Sequence, residues 1–141
     1  MAPHTARTAL REHWPEYLIE AWALGMFMIS ASVATLLFEY PHSPWHQAIA
    51  DAAIRRSCVG LLMGATAVAL IYSPWGQRSG AHMNPAVTLA FLSLGRITRW
   101  DACFYGVAQA CGGLLGVILV WCLFGTAFAR PRHQYRRHQH A

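Results

Sequence analysis

The stretch Ser79-Gly80-Ala81-His82-Met83-Asn84-Pro85-Ala86-Val87-Thr88-Leu89 decides the fold. It opens as a polar, glycine-bearing loop and turns apolar at Asn84-Pro85. Asn is a favoured N-cap because its side-chain oxygen accepts an otherwise unpaired N–H of the first turn. Pro at the next position lacks only a donor that the helix does not use. A helix is therefore expected to start at Pro85. The apolar run from Ala86 to Gly95 is ten residues long before Arg96 and Arg99 interrupt it. At about 1.5 Å per residue it reaches roughly 15 Å, half of a hydrocarbon core about 30 Å thick. The run lies between two longer hydrophobic stretches. The expected element is a re-entrant half-helix over 85–95, with its N-terminus at the bilayer midplane.

Working outward, the flanks are long and uncharged. Ala21 to Phe38 gives 18 residues without a charge, Ser57 to Trp75 gives 19, and Ala102 to Ala129 gives 28. Each is long enough to span a bilayer, and the last is long enough to tilt or to project past it. Three spans are expected, over about 17–38, 57–75 and 102–129. Pro41 and Pro44 mark the first connection, and Pro74 with Gly76 stops the second span. Residues 1–16 contain Pro3, Pro15 and most of the early charges, and read as an irregular cytoplasmic lead-in without a signal peptide. Residues 130–141 read as a basic tail. Gly112 and Gly116 are four residues apart, as are Gly60 and Gly64. That spacing lets helix backbones approach closely in lipid.

Composition points the same way. Hydrophobic residues make up 55% of the 141 and charged residues only 12%, about half the share usual in soluble domains. The net charge of +5 comes from arginine alone, and four of the arginines crowd into the tail, so no nucleic-acid footprint is indicated. Cys58, Cys103, Cys111 and Cys122 all fall in hydrophobic segments without Cys-x-x-Cys spacing. They read as small buried apolar residues rather than metal ligands or disulfides. No nucleophile elbow, phosphate-binding glycine loop or paired carboxylates appear, so an enzyme is not expected.

Ser-Gly-Ala-His-Met-Asn-Pro-Ala-Val-Thr over 79–88 resembles the first Asn-Pro-Ala box of the aquaporins, the major intrinsic protein family. The resemblance extends over about Tyr17 to Phe128 and corresponds to the first half of a usual family member. It implies an all-α integral membrane protein whose three transmembrane helices and one re-entrant half-helix form half of an aquaporin-like inverted repeat. It implies passive passage of water or a small neutral solute, with no cofactor. The pore residues would be Asn84, Pro85 and Ala86, preceded by a pore-lining loop of Gly80, Ala81, His82 and Met83. The carbonyls of that loop would form a ladder of water acceptors.

Individual residues keep two readings. Asn84 either donates to passing solute or only caps the helix. His82 either lines a vestibule or holds the loop. Glu20, the one carboxylate in the apolar body, matches a family glutamate that accepts loop N–H groups; otherwise it sits near the interface and reaches water. Gln109 resembles the glutamine of the third span and either holds the same loop or bonds a neighbouring helix. The filter position of the second span falls at Met63 or Gly64; neither is aromatic, and Val87 stands after the box where a second half would carry arginine. Water-only selectivity is therefore not implied.

The partners expected are the lipid bilayer, water or a small neutral solute, and either a second copy of the chain or a full-length aquaporin to complete the pore. The expected location is the plasma (inner) membrane. With the N-terminus inside, Arg7, Arg11, Arg78, Arg96 and Arg99 lie on the inner side, and only Arg55 and Arg56 lie outside before the tail. The tail adds four arginines outside and reads as appended, so the loss of a second half is expected rather than an evolved half-size channel. The alternative is a truncated, non-conducting fragment or an accessory subunit of a full-length aquaporin.

Overall fold

The computed structural model describes residues 5–128, and the expected basic tail lies outside them. It is all-helical over these residues: α1 (Ala6–Glu39), α2 (Pro44–Ala48), α3 (Ala52–Tyr72), α4 (Pro74–Ser79), α5 (Pro85–Ser93) and α6 (Arg99–Phe128). Three helices, α1, α3 and α6, are long and apolar enough to cross a membrane.

The first span begins earlier than its apolar run. α1 is helical from Ala6 and continues through Pro15, where an irregular lead-in was expected. Proline inside a helix removes one i→i−4 bond and costs about 3 kcal/mol. Tertiary contacts offset that cost here. Ala9 is fully buried, and the Tyr17 hydroxyl lies 3.1 Å from the Ala9 carbonyl and 2.7 Å from Asp101 Oδ1. His13 Nδ1 is 2.8 Å from the same Asp101 oxygen. These contacts bind both sides of Pro15 to the start of α6. Thr5 caps the helix by accepting from the Thr8 N–H at 3.3 Å.

The second span also starts before its uncharged run. Asp51 accepts from Ala53 N at 2.7 Å and Ile54 N at 3.2 Å, and so opens α3 at Ala52. Arg55 is carried in the first turns, its guanidinium folded back onto the carbonyls of Ile49 and Ala50 at 2.8 and 2.9 Å. Ser73 closes this helix and caps the next, accepting from Gly76 N at 2.9 Å.

α1 packs most closely on α6. A Cβ on Gly112 would collide with the Ala21 carbonyl, one on Gly116 with the Gly25 backbone, and one on Gly25 would lie 2.9 Å from the Gly112 carbonyl. Gly60 and Gly64, at the same spacing on α3, have nothing within 4 Å. α1 and α3 are joined by a 2.7 Å hydrogen bond between Ser30 Oγ and Thr66 Oγ1. The cysteines differ from expectation: Cys58 is half-buried, and Cys103, Cys111 and Cys122 are exposed on the outer faces of the bundle. Leu61, Leu114, Leu115 and Leu123 on the same helices are likewise exposed.

Candidate functional site

The half-helix starts where the residues predict. Asn84 caps α5, its Oδ1 accepting from Ala86 N at 2.8 Å, and Pro85 is the first helical residue. The helix ends at Ser93, two residues short of the expected 95. The Leu94 and Gly95 N–H groups still bond back to Ala90 and Leu92, and Gly95 takes a φ of 67°. At nine residues it is about 14 Å long.

The loop before it is wound tightly. Gly80, Ala81 and Met83 have φ of 89°, 45° and 47°. The first is the left-handed C-cap of α4, which glycine adopts freely. The other two hold side chains in a conformation that costs about 1–3 kcal/mol each unless the surroundings enforce it.

Glu20 supplies the enforcement. It is 0% exposed on the middle of α1, and four donors converge on its carboxylate. Oε1 accepts from Ser79 Oγ at 2.7 Å and His82 N at 3.0 Å. Oε2 accepts from Met83 N at 2.8 Å and Gln109 Nε2 at 2.8 Å. A carboxylate has about four lone-pair sites, so each is used. The two consecutive amide protons of His82 and Met83 are thereby fixed to α1, and a third helix joins through Gln109 on α6.

Thr88 is a second junction, one turn into α5. Its Oγ1 lies 3.1 Å from Gln109 Nε2, 3.1 Å from His82 Nδ1 and 3.3 Å from the Asn84 carbonyl. Gln109 is also 0% exposed, and its Oε1 has no partner among the described residues. The His82 ring is buried, stacked on Phe91 with centroids 4.5 Å apart and edge-on to Tyr105 at 5.0 Å. Tyr105 donates to the Ser79 carbonyl at 2.7 Å.

Several polar groups of the loop are unpaired among the described residues. The carbonyls of Gly80, Ala81, His82 and Met83 accept no hydrogen bond from the described residues, and neither Asn84 amide proton has an acceptor among them. Asn84 is exposed, and Thr88 is the one buried residue of α5. Non-helical backbone at membrane depth is tolerated only against protein or water.

The structure thus brings Glu20, Gln109, His82, Met83 and Asn84 into one network. It does not bring in the expected filter positions. Met63 is half-buried and Gly64 exposed on α3, and no hydrogen bond or ring contact joins either to the loop. Sequence reasoning missed Ser79, Thr88 and Tyr105. Thr88 was discoverable, since it follows the cap by four residues and so shares its face of the helix.

A second polar cluster lies at the N-terminal ends of α1 and α6. Asp101 collects His13, Tyr17 and Thr98, the last at 2.6 Å, and Arg78 Nε is 3.0 Å from Glu16 Oε1. All of these but Tyr17 line a cleft of about 600 Å³. Asp101 also escaped the sequence reading, although Thr98-x-x-Asp101 has the spacing of a helix capping box.

Comparisons with known proteins agree with this architecture. The family description "Major intrinsic protein" matches residues 8–140. Aquaporin NIP1-2 of Arabidopsis thaliana is 34% identical over 99 residues, covering 70% of this chain and 31% of its own. Aquaglyceroporin AqpS of Rhizobium meliloti (strain 1021) is 40% identical over 75 residues, 53% of this chain and 32% of its own. Probable aquaporin PIP2-5 of Arabidopsis thaliana is 33% identical over 132 residues, 82% of this chain and 46% of its own. The chain therefore spans less than half the length of these relatives. No solved structure matches it significantly. With a family match over nearly the whole sequence and three helices fit to cross a bilayer, the chain belongs to the major intrinsic protein family and is a multi-pass integral membrane protein.

Proposed function

We propose that this chain forms one half of a transmembrane pore for water or small neutral solutes, and that a partner half completes it. The observation that carries this reading is the pairing of a fully satisfied anchor with unsatisfied loop groups. Glu20 takes up two N–H groups of the loop, while four successive carbonyls and the Asn84 amide protons have no partner among the described residues. A solute in single file would offer hydrogens to the carbonyls and an oxygen to Asn84. The N-terminus of α5 adds roughly half a positive elementary charge, which disfavours cations and protons. Aquaporin-type pores are the standard instance of this exclusion.

α5 and the loop need a covering surface, because the three spans bury Thr88 and half-bury Leu92 but leave the rest of α5 exposed. An inverted second copy or a full-length relative would supply it, and the chain alone is expected to conduct poorly or not at all. The arginine distribution supports a cytoplasmic N-terminus, and the plasma (inner) membrane is the location this reading adopts. Purified chain in liposomes, followed by osmotic shrinkage in stopped flow, is expected to match empty vesicles. Adding the second half of an aquaporin relative is expected to speed shrinkage, and Asn84→Leu is expected to abolish the gain. Fast shrinkage by the chain alone, lost in Asn84→Leu, would show that two copies suffice. No gain with the added half, despite correct insertion of both, would refute the pore reading.

A further inference from the structure

We propose that the N-terminal end of α1 is a docking face for the headgroups of anionic phospholipids. α1 has 34 residues, about 51 Å of helix against a hydrocarbon core of about 30 Å, so one end must leave the core. The first eleven residues, 6–16, carry the charges and are that end.

This end has two distinct sides. Ala9, His13, Glu16 and Tyr17 turn toward the protein and make the contacts with Asp101 and Arg78 described above. Arg7, Leu10, Arg11, Trp14 and Leu18 turn outward, within about 100° of arc at 100° per residue. Leu10 is 48% exposed, Trp14 55% and Leu18 60%. Three large apolar side chains on one side of a helix would be unfavourable in bulk water. Their order instead follows depth in a leaflet. Leu18 is nearest the span, Trp14 lies one turn out, and Arg11 and Arg7 lie one and two turns beyond, with Leu10 between the two arginines. Leu18 and Trp14 thus lie nearer the span than the cations, and Leu10 with the arginines makes an amphipathic interfacial end.

Charge complementarity selects an anionic headgroup. Arg7 and Arg11 make no hydrogen bond or ion pair with any described residue. Two of the three nearby acids are engaged elsewhere: Glu16 meets Arg78, and Asp101 is taken by His13, Tyr17 and Thr98. Glu12, about 100° around the helix from Arg11, borders the same cleft as Arg7 and Arg11 and leaves that end with a net positive charge. The bonds from His13 and Tyr17 to Asp101 set the start of α6 at the same level, where Arg99 and Trp100 are likewise exposed. Cations and indoles therefore recur together on two helices at one membrane surface.

The test is native mass spectrometry of the full chain in mild detergent, titrated with phosphatidylglycerol, phosphatidylcholine or soluble glycerol phosphate. Phosphatidylglycerol is expected to be retained over phosphatidylcholine, and glycerol phosphate is expected not to compete. An arginine near a membrane surface contributes roughly fivefold in anionic-lipid affinity, so Arg11→Gln should weaken retention about fivefold and R7Q/R11Q together about 25-fold. Both side chains are exposed, and circular dichroism of the variants should match the parent. Equal retention of the two lipids by the parent, or unchanged retention in R7Q/R11Q, would overturn the proposal. Competition by glycerol phosphate at the lipid's own concentration would overturn it too, in favour of a free-phosphate site.

Discussion

Replacing Glu20 by leucine removes all four acceptor positions at the centre of the site while keeping a side chain of similar bulk. The four donors do not suffer equally. Ser79 Oγ has a second acceptor at 3.4 Å in the Gly76 carbonyl, and Gln109 Nε2 keeps Thr88. The N–H groups of His82 and Met83 have no alternative among the described residues. Each stranded donor costs about 1–3 kcal/mol. Relief works in the opposite direction, because a freed loop can leave the positive φ of Ala81 and Met83, worth about 1–3 kcal/mol each. The loop should therefore unlatch before the helices separate. Two stranded donors, about 2–6 kcal/mol together, and relief at two strained residues, about 2–6 kcal/mol together, nearly cancel, leaving a small change in global stability and a large local effect. Unfolding of the detergent-solubilised chain by added SDS reads the first quantity. Hydrogen exchange at His82 and Met83 reads the second, and both amides should exchange much faster in Glu20→Leu. Parental exchange at both amides in this variant would refute the argument and return Glu20 to an interfacial role.

Thr88→Val keeps shape but deletes the hydroxyl that joins Gln109, His82 and the Asn84 carbonyl; a loss of about 1–2 kcal/mol in the same SDS titration is expected. Gly112→Ala should destabilise by about 1–3 kcal/mol because its methyl would meet the Ala21 carbonyl, whereas Gly60→Ala, in open space, should be neutral or stabilise by up to about 1 kcal/mol. Tyr17→Phe should cost about 1–2 kcal/mol and speed exchange in residues 6–16, since its hydroxyl helps hold the segment around Pro15 to Asp101. Reporter fusions after Ala129 should read as non-cytoplasmic, given the arginine bias of the spans and loops.

Some of this was written into local sequence. Asn84-Pro85 starts a helix by its own chemistry, and the uncharged runs mark three spans because no other solvent suits them. Glu20 was conspicuous as a lone carboxylate in an apolar run, and an ionisable group there must find donors. Which donors it finds is a matter of three helices meeting. Residues 20, 82, 83 and 109 are brought together only by packing.

The same limit explains the misreadings. Pro15 argues locally for a break, and only Asp101, 84 residues beyond Tyr17 in the chain, keeps α1 helical there. The two Gly-x-x-x-Gly spacings are indistinguishable on paper. One sits in the α1–α6 contact, where any Cβ would strike backbone, and the other faces open space. The exposed cysteines belong to the same class. Hydropathy reports that a residue avoids water, but lipid and protein interior satisfy that preference equally. Local sequence thus determined where α5 begins and which segments enter the bilayer, since those follow from bonds and solvation within one segment, while the start of α1 rests on its contacts with Asp101. The tertiary structure alone decided which faces meet, because a helix face acquires its neighbour from the arrangement of all the others.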